Sequence, residues 1–545
     1  MSLCDSSTGL RTIWMIGAGP LWHNSSQTMD YLCPETLKKA VAVQGSFVAQ
    51  LVGLDAKSIG PAISQAGQIA RQKLRGEMQT QSAKLTNADD AKKAAMAEQA
   101  GKYLAFRLER EEARLRDFAR IAQCVSEIDA QVALLTLEYQ RLTGDLRLAQ
   151  QASPARREGV SGKTPVTQQS ASWADYARGT ICRRLTQGLL QDFTRVPKAE
   201  RRNLRRGKTR WLMTAMLARL DGELSLMEAI ERAAWERGAD LERIDERILR
   251  DIFDSIDYLR RWGYLDVRYP YTITKDDLLQ GLRQVGVSRG DIIFVHSSLP
   301  AFGHVDGGEA AALDALCEAV GPTGTLLMPT FTSSCIYFAG EPMLDRSVRP
   351  FDAADARQVR TGRLCRAFLG LADVVRSGHP SHSVAGIGPL AMAMLAGHQE
   401  SDPPAGPTSP LAKLLANKGK IVYLGALPQS TTFLHYLEDC LRLSYLVPAL
   451  CLVRKPDGPP RPVLIQRHLT GHRDFYSDAW QDTKIYKALL AAGLQMPTAS
   501  LGLGQIRSVE SSQLYELGLS AMKQDPTILL CDDPQCDWCA RHKQF

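Results

Sequence analysis

The chain has 545 residues, too many for one ordinary hydrophobic core, and at about 150 residues per domain it should divide into roughly two to four units. Hydrophobic residues make up 44% and charged residues 23%, values of folded protein that exclude disorder over the whole length. The net charge of +7 is unevenly spread: residues 1–268 carry 41 Lys and Arg against 33 Asp and Glu, the remainder 25 against 26. Histidine has the opposite bias, with nine of ten after residue 268, which raises the expectation of acid–base chemistry there. Twelve cysteines, mostly single and in apolar contexts such as Cys317 and Cys451, read as buried thiols of a reducing compartment. No run of eighteen apolar residues exists and the first residues lack the pattern of a secretory signal, so a cytoplasmic protein without a membrane span is expected.

In chain order, residues 13–23 place Gly17 and Gly19 after an apolar stretch, a partial dinucleotide-binding turn without its third glycine, and read as a short segment and turn. Proline is absent between Pro61 and Pro154 while Ala, Gln, Lys, Arg and Leu dominate, which predicts helix. Within it Ile121, Val125, Ile128, Val132, Leu135, Tyr139 and Leu142 recur at alternating steps of three and four. That seam suits a helical hairpin or short coiled coil, with self-association through residues 110–150, and equally a bundle packing on itself. Residues 1–152 are therefore taken as a helical region, and the polar, Pro- and Ser-containing 153–172 as a linker. Residues 173–268 form a basic helical module. Between Arg178 and Arg210 there are eleven basic residues and two acidic ones. A helix, a break at Gly238, a second helix and the close YLRRWGYLDV then suggest a winged-helix-like unit. Such a module permits nucleic-acid binding through residues 178–268; a solvated helix face explains the same charges.

From residue 269 to 545 the rhythm changes to short apolar runs alternating with amphipathic helices. DIIFVH (291–296), GTLLMPTF (324–331) and KIVYLGA (420–426) each read as buried strands, which predicts a layered α/β/α domain. The first strand ends at His296, with Ser297 and Ser298 at its carboxyl end, and a loop with Gly303, Gly307 and Gly308 leads into a helix. Glycines and a helix start suit the close approach of an anion. In RSGHPSHSVAGIG, His379 precedes Pro380, which holds it extended. In LGALPQSTTFLHYLEDCLRL, Ser430, Thr431 and Thr432 are N-cap candidates, and His435 and Glu438 stand three apart on one helix face. A carboxylate beside an imidazole fixes its tautomer and raises its basicity, as removal of a proton from an acceptor amine would need. Taken alone, such a pair is more often a helix salt bridge.

The motifs HSSL with its glycine turn, GTLLMPTF, RSGHPSHSVAGIG, GPTSPLAKLL (406–415), TTFLHYLE and the tail GLGQIRSVESSQLYELGLSAMKQDPTILL come in a telling order and spacing. Over about Tyr271 to Leu530 the chain resembles the aminoglycoside 3-N-acetyltransferases. The resemblance implies an acyltransferase domain over 269–545 that takes acetyl-CoA as co-substrate and a small-molecule amine as acceptor, as in antibiotic resistance. It implies that the segment His296, Ser297, Ser298, Leu299, Val305, Gly307 and Gly308 binds CoA, with Ser377 joining it. It implies that His379 lies near the thioester and that His435 and Glu438 handle the acceptor proton. Transfer is then direct, without a covalent acyl-enzyme.

The family shapes its acceptor site with the region matching Phe331 to Leu364, and here Glu341, Asp345, Asp352 and Asp355 either offer negative charge to a cationic acceptor or belong equally to a solvated loop. The extension of residues 1–268 has no counterpart in compact members. Two other readings therefore stay open: an acyltransferase for another amine in a biosynthetic pathway, and a nucleic-acid-binding regulator with a non-catalytic acyltransferase-like domain. Beyond the resemblance, Cys531, Cys536, Cys539 and His542 give C-x4-C-x2-C-x2-H, four zinc-competent ligands. Zinc sites usually separate their ligand pairs more widely, and from the sequence no metal is assigned, a frayed terminus with spare thiols being the plainer account.

Overall fold

The computed structural model describes residues 59–120, 124–151, 172–186, 195–201, 209–337, 348–399, 403–443, 446–455, 457–468 and 479–533, and then 535, 536, 539, 540 and 543. The turn at Gly17 and Gly19, the linker up to residue 171 and most of the arginine-dense run 198–210 lie outside them, as do Ile121, Glu341, Asp345 and His542. The described residues divide into two compact units. One is drawn from Met1–Gly162, Cys182–Ile244 and Trp262–Asp266, the other from Lys163–Ile181, Asp245–Arg261 and Val267–Phe545. No helix among the described residues is long and apolar enough to cross a membrane.

The first unit begins with three helices, α1 (Ile59–Thr86), α2 (Asp90–Arg116) and α3 (Val125–Gln151). Their Ala-rich sequences favour helix, and each contributes to one shared apolar core containing Ile63, Leu74, Leu104, Leu115, Ile128 and Leu135. The face of α3 formed by Ile128, Val132 and Leu135 is thus covered from within the chain, whereas Val125 is 60% exposed. Next in chain order come α4 (Trp173–Gly179), β1 (Ile181–Arg184), α5 (Arg210–Leu217), β2 (Asp221–Ser225), α6 (Leu226–Glu236), α7 (Glu246–Arg261) and β3 (Leu265–Arg268), of which α4 and α7 belong to the second unit. The three strands form a sheet in the order β2-β1-β3. Ser225 and Glu228 close a reciprocal capping box at the start of α6. The Trp235 ring of α6 lies 5.8 Å from Tyr103 and 5.5 Å from Phe106 of α2, which fastens α6 to the bundle within that unit.

The second unit is built on a seven-stranded sheet. Its elements are α8 (Lys275–Gln284), β4 (Ile292–Ser297), α9 (Gly308–Val320), β5 (Thr325–Pro329), β6 (Ile336–Tyr337), α10 (Arg363–Phe368), β7 (Val375–Arg376), β8 (Val384–Ile387), α11 (Ala391–Leu395) and α12 (Pro410–Ala416). They continue with β9 (Lys420–Leu424), α13 (Phe433–Cys440), β10 (Leu446–Val453), β11 (Arg461–His468), α14 (Lys484–Ala491), β12 (Thr498–Leu501), β13 (Gly504–Glu510) and α15 (Ser511–Gln524). The sheet order is β12-β13-β9-β4-β5-β8-β7, with β4 parallel to both β5 and β9 and the outer pairs antiparallel.

Alternation along the central strands explains the two layers. Ile293 and Val295 of β4 and Val422 and Leu424 of β9 enter one core, with Leu278, Leu313, Leu316 and Phe368 of α8, α9 and α10. Ile292 and Phe294 of β4 and Ile421 and Tyr423 of β9 enter the other, with Leu411, Phe433, Ile485 and Leu514 of α12 to α15. A strand buried on both sides needs an unbroken apolar run, which is how these three strands read in the sequence. The layered α/β/α architecture is the expected one. A second, three-stranded sheet, β11-β10-β6, packs around Cys335, Phe351, Cys451 and Ile465. The parallel strands deliver Ser297, Thr330 and Gly425 to their carboxyl ends, where open α/β sheets hold their ligands.

Candidate active site

Helix α13 is preceded by a turn of 3-10 helix, Pro428–Ser430, and its amphipathic face buries Phe433, Leu434 and Leu437. The N-cap is Thr432, whose side chain makes no capping bond, so the expected hydroxyl cap is absent. Thr431 is instead taken by the core: its Oγ1 lies 2.5 Å from the Tyr423 hydroxyl and 2.7 Å from that of Tyr486. That anchor sets the start of the helix, and with it the next turn. His435 Nδ1 is 2.5 Å from Glu438 Oε2, with the carboxylate 1% exposed. Asp439 on the same helix accepts from the Ala405 amide at 2.9 Å, pinning α13 to the loop before α12. A buried carboxylate held to one imidazole nitrogen leaves the other to act outward, in the tautomer that accepts a proton.

His435 lines a cavity of about 390 Å³ together with His296, Phe331, Arg360, His382 and Thr432. His296 is buried beside it, stacked on Tyr423 at 5.7 Å. Burial, and then the neighbouring His435, push its pKa down to about 3, which keeps that ring neutral at physiological pH. Across the cavity the loop 379–383 is held in a polar knot. The His379 ring is fully buried, accepts the His382 amide at Nδ1 (3.0 Å) and stacks on His398 at 5.0 Å. Ser377 Oγ accepts the Val384 amide at 2.9 Å and lies 3.0 Å from His398 Nδ1. Arg376 clamps the ends of two strands: Nη2 donates to Thr330 O at 2.7 Å and to Thr332 Oγ1 at 2.9 Å, and Nε to Ser383 Oγ at 3.1 Å. Burial lowers its pKa to about 10, still a cation at neutral pH.

A second cleft of about 410 Å³ adjoins the first. Ser297, Ala426, Gln429 and Ser430 line both. The second is completed by Ser298, Gly425, the turn Gly502–Gly504, and two arginines, Arg250 of α7 and Arg507 of β13. Arg507 lies with its guanidinium 5.7 Å from the Trp480 ring. Gly425, at φ +71°, passes so close to the β4 end that an added Cβ would sit 2.5 Å from Ser298 O.

The glycine loop after β4 takes a different place. Gly307 is left-handed (φ +70°), as the sharp turn into α9 requires. Its amide donates to Asp306 Oδ1 at 3.1 Å and that of Gly308 to Val305 O at 3.1 Å, so both are used inside the loop. Trp173, Phe253, Asp257 and Arg261 wall the loop, leaving a small cavity of about 40 Å³ against Leu299, Val305 and Gly308. The Tyr176 hydroxyl accepts the His304 amide at 3.0 Å. Glu309, in the first turn of α9, pairs with Arg261 at 3.3 Å and Arg363 at 3.2 Å.

Of the residues singled out from the sequence, His435, Glu438, His296, Ser297 and Ser298 therefore come together around two adjoining clefts. His379 and Ser377 do not line either; they brace the loop that presents Ser381 and His382. Leu299, Val305 and Gly308 line the small cavity instead, and Gly307 lines none of the three. Asp352 and Asp355 line neither cleft and pair with Arg454 and Arg357, each at 2.8 Å. The sequence reading missed Arg250, Arg360, Arg376, His382 and Arg507. His382 and Arg376 stand inside a motif already noticed. Arg250 had no local signal, being one arginine among many on an amphipathic helix.

Residues 294–523 match the family model of aminoglycoside 3-N-acetyltransferase. Aminoglycoside N(3)-acetyltransferase III of Serratia marcescens is 35% identical over 201 residues, 34% of this chain and 73% of that enzyme. The chain belongs to the aminoglycoside 3-N-acetyltransferase family. Aminoglycoside N(3)-acetyltransferase IX of Micromonospora chalcea is 32% identical over 180 residues, which span 30% of this chain and 62% of the relative, less than two thirds of its length. Among solved structures, aminoglycoside acetyltransferase AAC(3)-Xa is 27% identical, with 50% of this chain and 98% of that one covered at a TM-score of 0.43. AAC(3)-IIb is 30% identical, with 47% and 98% covered at a TM-score of 0.41.

Proposed function

We propose that this chain transfers the acetyl group of acetyl-CoA to an amine, the 3-amino group of a 2-deoxystreptamine aminoglycoside being the acceptor that membership of the family favours. The observation that carries the reading is the His435–Glu438 pair, at 2.5 Å, beside a cavity that adjoins a second, arginine-bearing cleft. The acceptor amine occupies the first cavity and acetyl-CoA the second, so that the thioester meets the amine near Ser297. His435 takes a proton from the amine, and Glu438 stabilises the imidazolium that results. The amine nitrogen bonds to the thioester carbonyl carbon, and the tetrahedral oxyanion collapses with cleavage of the carbon–sulfur bond. The leaving CoA sulfur takes the proton from His435, giving free thiol and the amide. Hydrogen-bond donors at the shared wall, Ser297 and Gln429 among them, are placed to steady the oxyanion.

A second reading rests on the cavity's charge. Among its described lining residues there is no carboxylate, and Arg360 is present. Negative charge for a polycation would then come from Glu341 and Asp345, outside the described residues; without it, a less charged amine of a biosynthetic pathway is the better acceptor. Thiol release from acetyl-CoA, followed against aminoglycosides and simple amines, tests both. Release only with a 2-deoxystreptamine compound supports the first, release only with monoamines the second, and absence of transfer to any amine overturns acetyl transfer.

The regulator reading draws less support. Within the basic strip Arg178 pairs with Asp175 at 2.5 Å and Arg183 with Asp266 at 2.9 Å, and Arg195 and Arg201 donate to backbone carbonyls. Self-association through residues 110–150 would use a face other than the covered one, where Leu134 is 46% and Leu137 60% exposed. Sedimentation of a Leu134→Lys, Leu137→Lys double variant tests it: a dimeric wild type that becomes monomeric is the result expected of that face.

A further inference from the structure

The final described stretch of the chain gathers three thiols at a place none of the clefts reaches. Ile528 and Leu529 end in the core beneath α15, and Leu530 then starts a small separate cluster with Cys536 and Cys539, against which Leu443 and Cys531 pack. Cys536 is 7% and Cys539 1% exposed, and Cys531 is half-buried. Their three Sγ atoms all lie within 4.8 Å of one another, and no disulfide joins them. Backbone hydrogen bonds set this arrangement. Cys536 N donates to Asp533 O at 3.1 Å, Ala540 N to Cys536 O at 3.0 Å and Lys543 N to Cys539 O at 3.0 Å. The two cysteines of the C-x2-C step thus bring their Sγ atoms together with that of Cys531.

A buried free cysteine packs as a small hydrophobe, so burial alone accounts for each thiol but not for three Sγ atoms converging on one point. They are an effective way to hold a soft ion. Zn–S bonds of about 2.3 Å in tetrahedral geometry set sulfurs roughly 3.8 Å apart, and the three Sγ atoms here lie within 4.8 Å of one another. Thiolate ligands select zinc over the hard cations. Three thiolates on a divalent ion leave net negative charge, and Lys484 and Lys543 stand beside the turn, both on Asp532 Oδ1 (2.9 and 2.5 Å).

We propose that Cys531, Cys536 and Cys539 bind one zinc ion through their thiolates. Each S–H bond gives its proton to solvent as an S–Zn bond forms, with no change of oxidation state. The fourth tetrahedral position falls to a further group. The site is structural. Leu443, packed on the cysteine cluster, donates its amide to Glu438 O at 3.2 Å, so the ion ties the end of the chain behind the helix that carries the His435–Glu438 pair.

The test uses the untagged full-length chain from zinc-supplemented culture, with metal measured by inductively coupled plasma mass spectrometry after gel filtration. One zinc per chain is expected, retained in a Cys124→Ser control and lost in a Cys536→Ser, Cys539→Ser double variant. Should the double variant fail to fold, wild type stripped with a chelator and titrated with Co²⁺ replaces it. Intense visible d–d bands of tetrahedral cobalt, with sulfur-to-metal charge transfer, are then expected and should vanish on adding zinc. Protein that holds no stoichiometric zinc and gives no thiolate–cobalt spectrum overturns the proposal, as does a disulfide between any two of the three cysteines in protein isolated anaerobically.

Discussion

At the scale of single residues, the proposed chemistry rests on a pair whose members differ in what they should cost when removed. His435→Ala deletes the proposed base and should lower kcat by about 10²- to 10⁴-fold with little change in CoA affinity, read by steady-state kinetics and calorimetry. Glu438→Gln keeps the shape and a hydrogen bond but not the charge that stabilises the imidazolium. It should lower kcat less, and shift the acidic limb of the pH–rate profile to lower pH. His398 gives a separate, stability-based test. Burial, outweighing the Pro404 carbonyl that would favour the cation, lowers its pKa to about 4. Unfolded, it titrates near the ordinary value of about 6.5, so between these values the unfolded chain binds the extra proton and stability falls as pH falls. Melting temperature should therefore decline from about pH 6.5 to 4, and His398→Gln should flatten that slope. An unchanged slope would mean that other groups carry the acid lability. His435 and Glu438 were legible in the sequence because helix spacing is local, three residues apart on one face. His379 was noticed for its place before Pro380, but its burial comes from His398, nineteen residues on, and no short-range pattern announces it.

At the scale of elements, the site is made by strand ends that must stop at fixed places. Gly425 ends β9 beneath the β4 terminus, and Gly425→Ala would drive a methyl group into Ser298 O while forcing a left-handed backbone on alanine. The cost should be about 1–3 kcal/mol in denaturant unfolding, with turnover reduced because Ser298 and Ala426 move together. Arg376 does the same work from the side by holding Thr330, Thr332 and Ser383. Arg376→Lys cannot reproduce three directions of hydrogen bonding and should lower kcat while the protein still folds, measured beside its circular dichroism melt. The three parallel strands could be read directly, since burial on both faces demands continuous apolar runs. Of the outer strands, β7 has two residues and β8 and β12 four each, too short to show a period, and β8 and β13 join β5 and β9 across long stretches of chain, so the mixed character of the sheet was not legible.

At the scale of the molecule, the compact unit that bears the site draws on residues well before the family-like segment. Tyr176 supports the glycine loop, Asp257 and Arg261 join Glu309 and Arg363 in one ion-pair network, and Arg250 lines the Ser298 cleft. A chain shortened to begin at residue 269 loses the apolar stripe of α7 (Ile248, Leu249, Ile252, Ile256) that this unit buries. It should melt well below the full chain. In the intact chain, with acetyl-CoA placed as proposed, Arg250→Ala should raise KM for acetyl-CoA with kcat nearly unchanged, since an exposed arginine at that cleft would meet a phosphate and not the reacting carbonyl. None of this could be foreseen from the sequence, where the α7 arginines belong to a run of balanced charges with no sign of which one reaches a cleft.

The two clefts touch along one short wall, Ser297, Ala426, Gln429 and Ser430, yet each has its own lining beyond it. Two reactants that enter by separate doors need not queue. Either can be first, and initial-velocity plots should intersect whichever one is varied. Free CoA should then compete with acetyl-CoA and leave the acceptor's slope to rise without competition, and the acetylated product should do the converse.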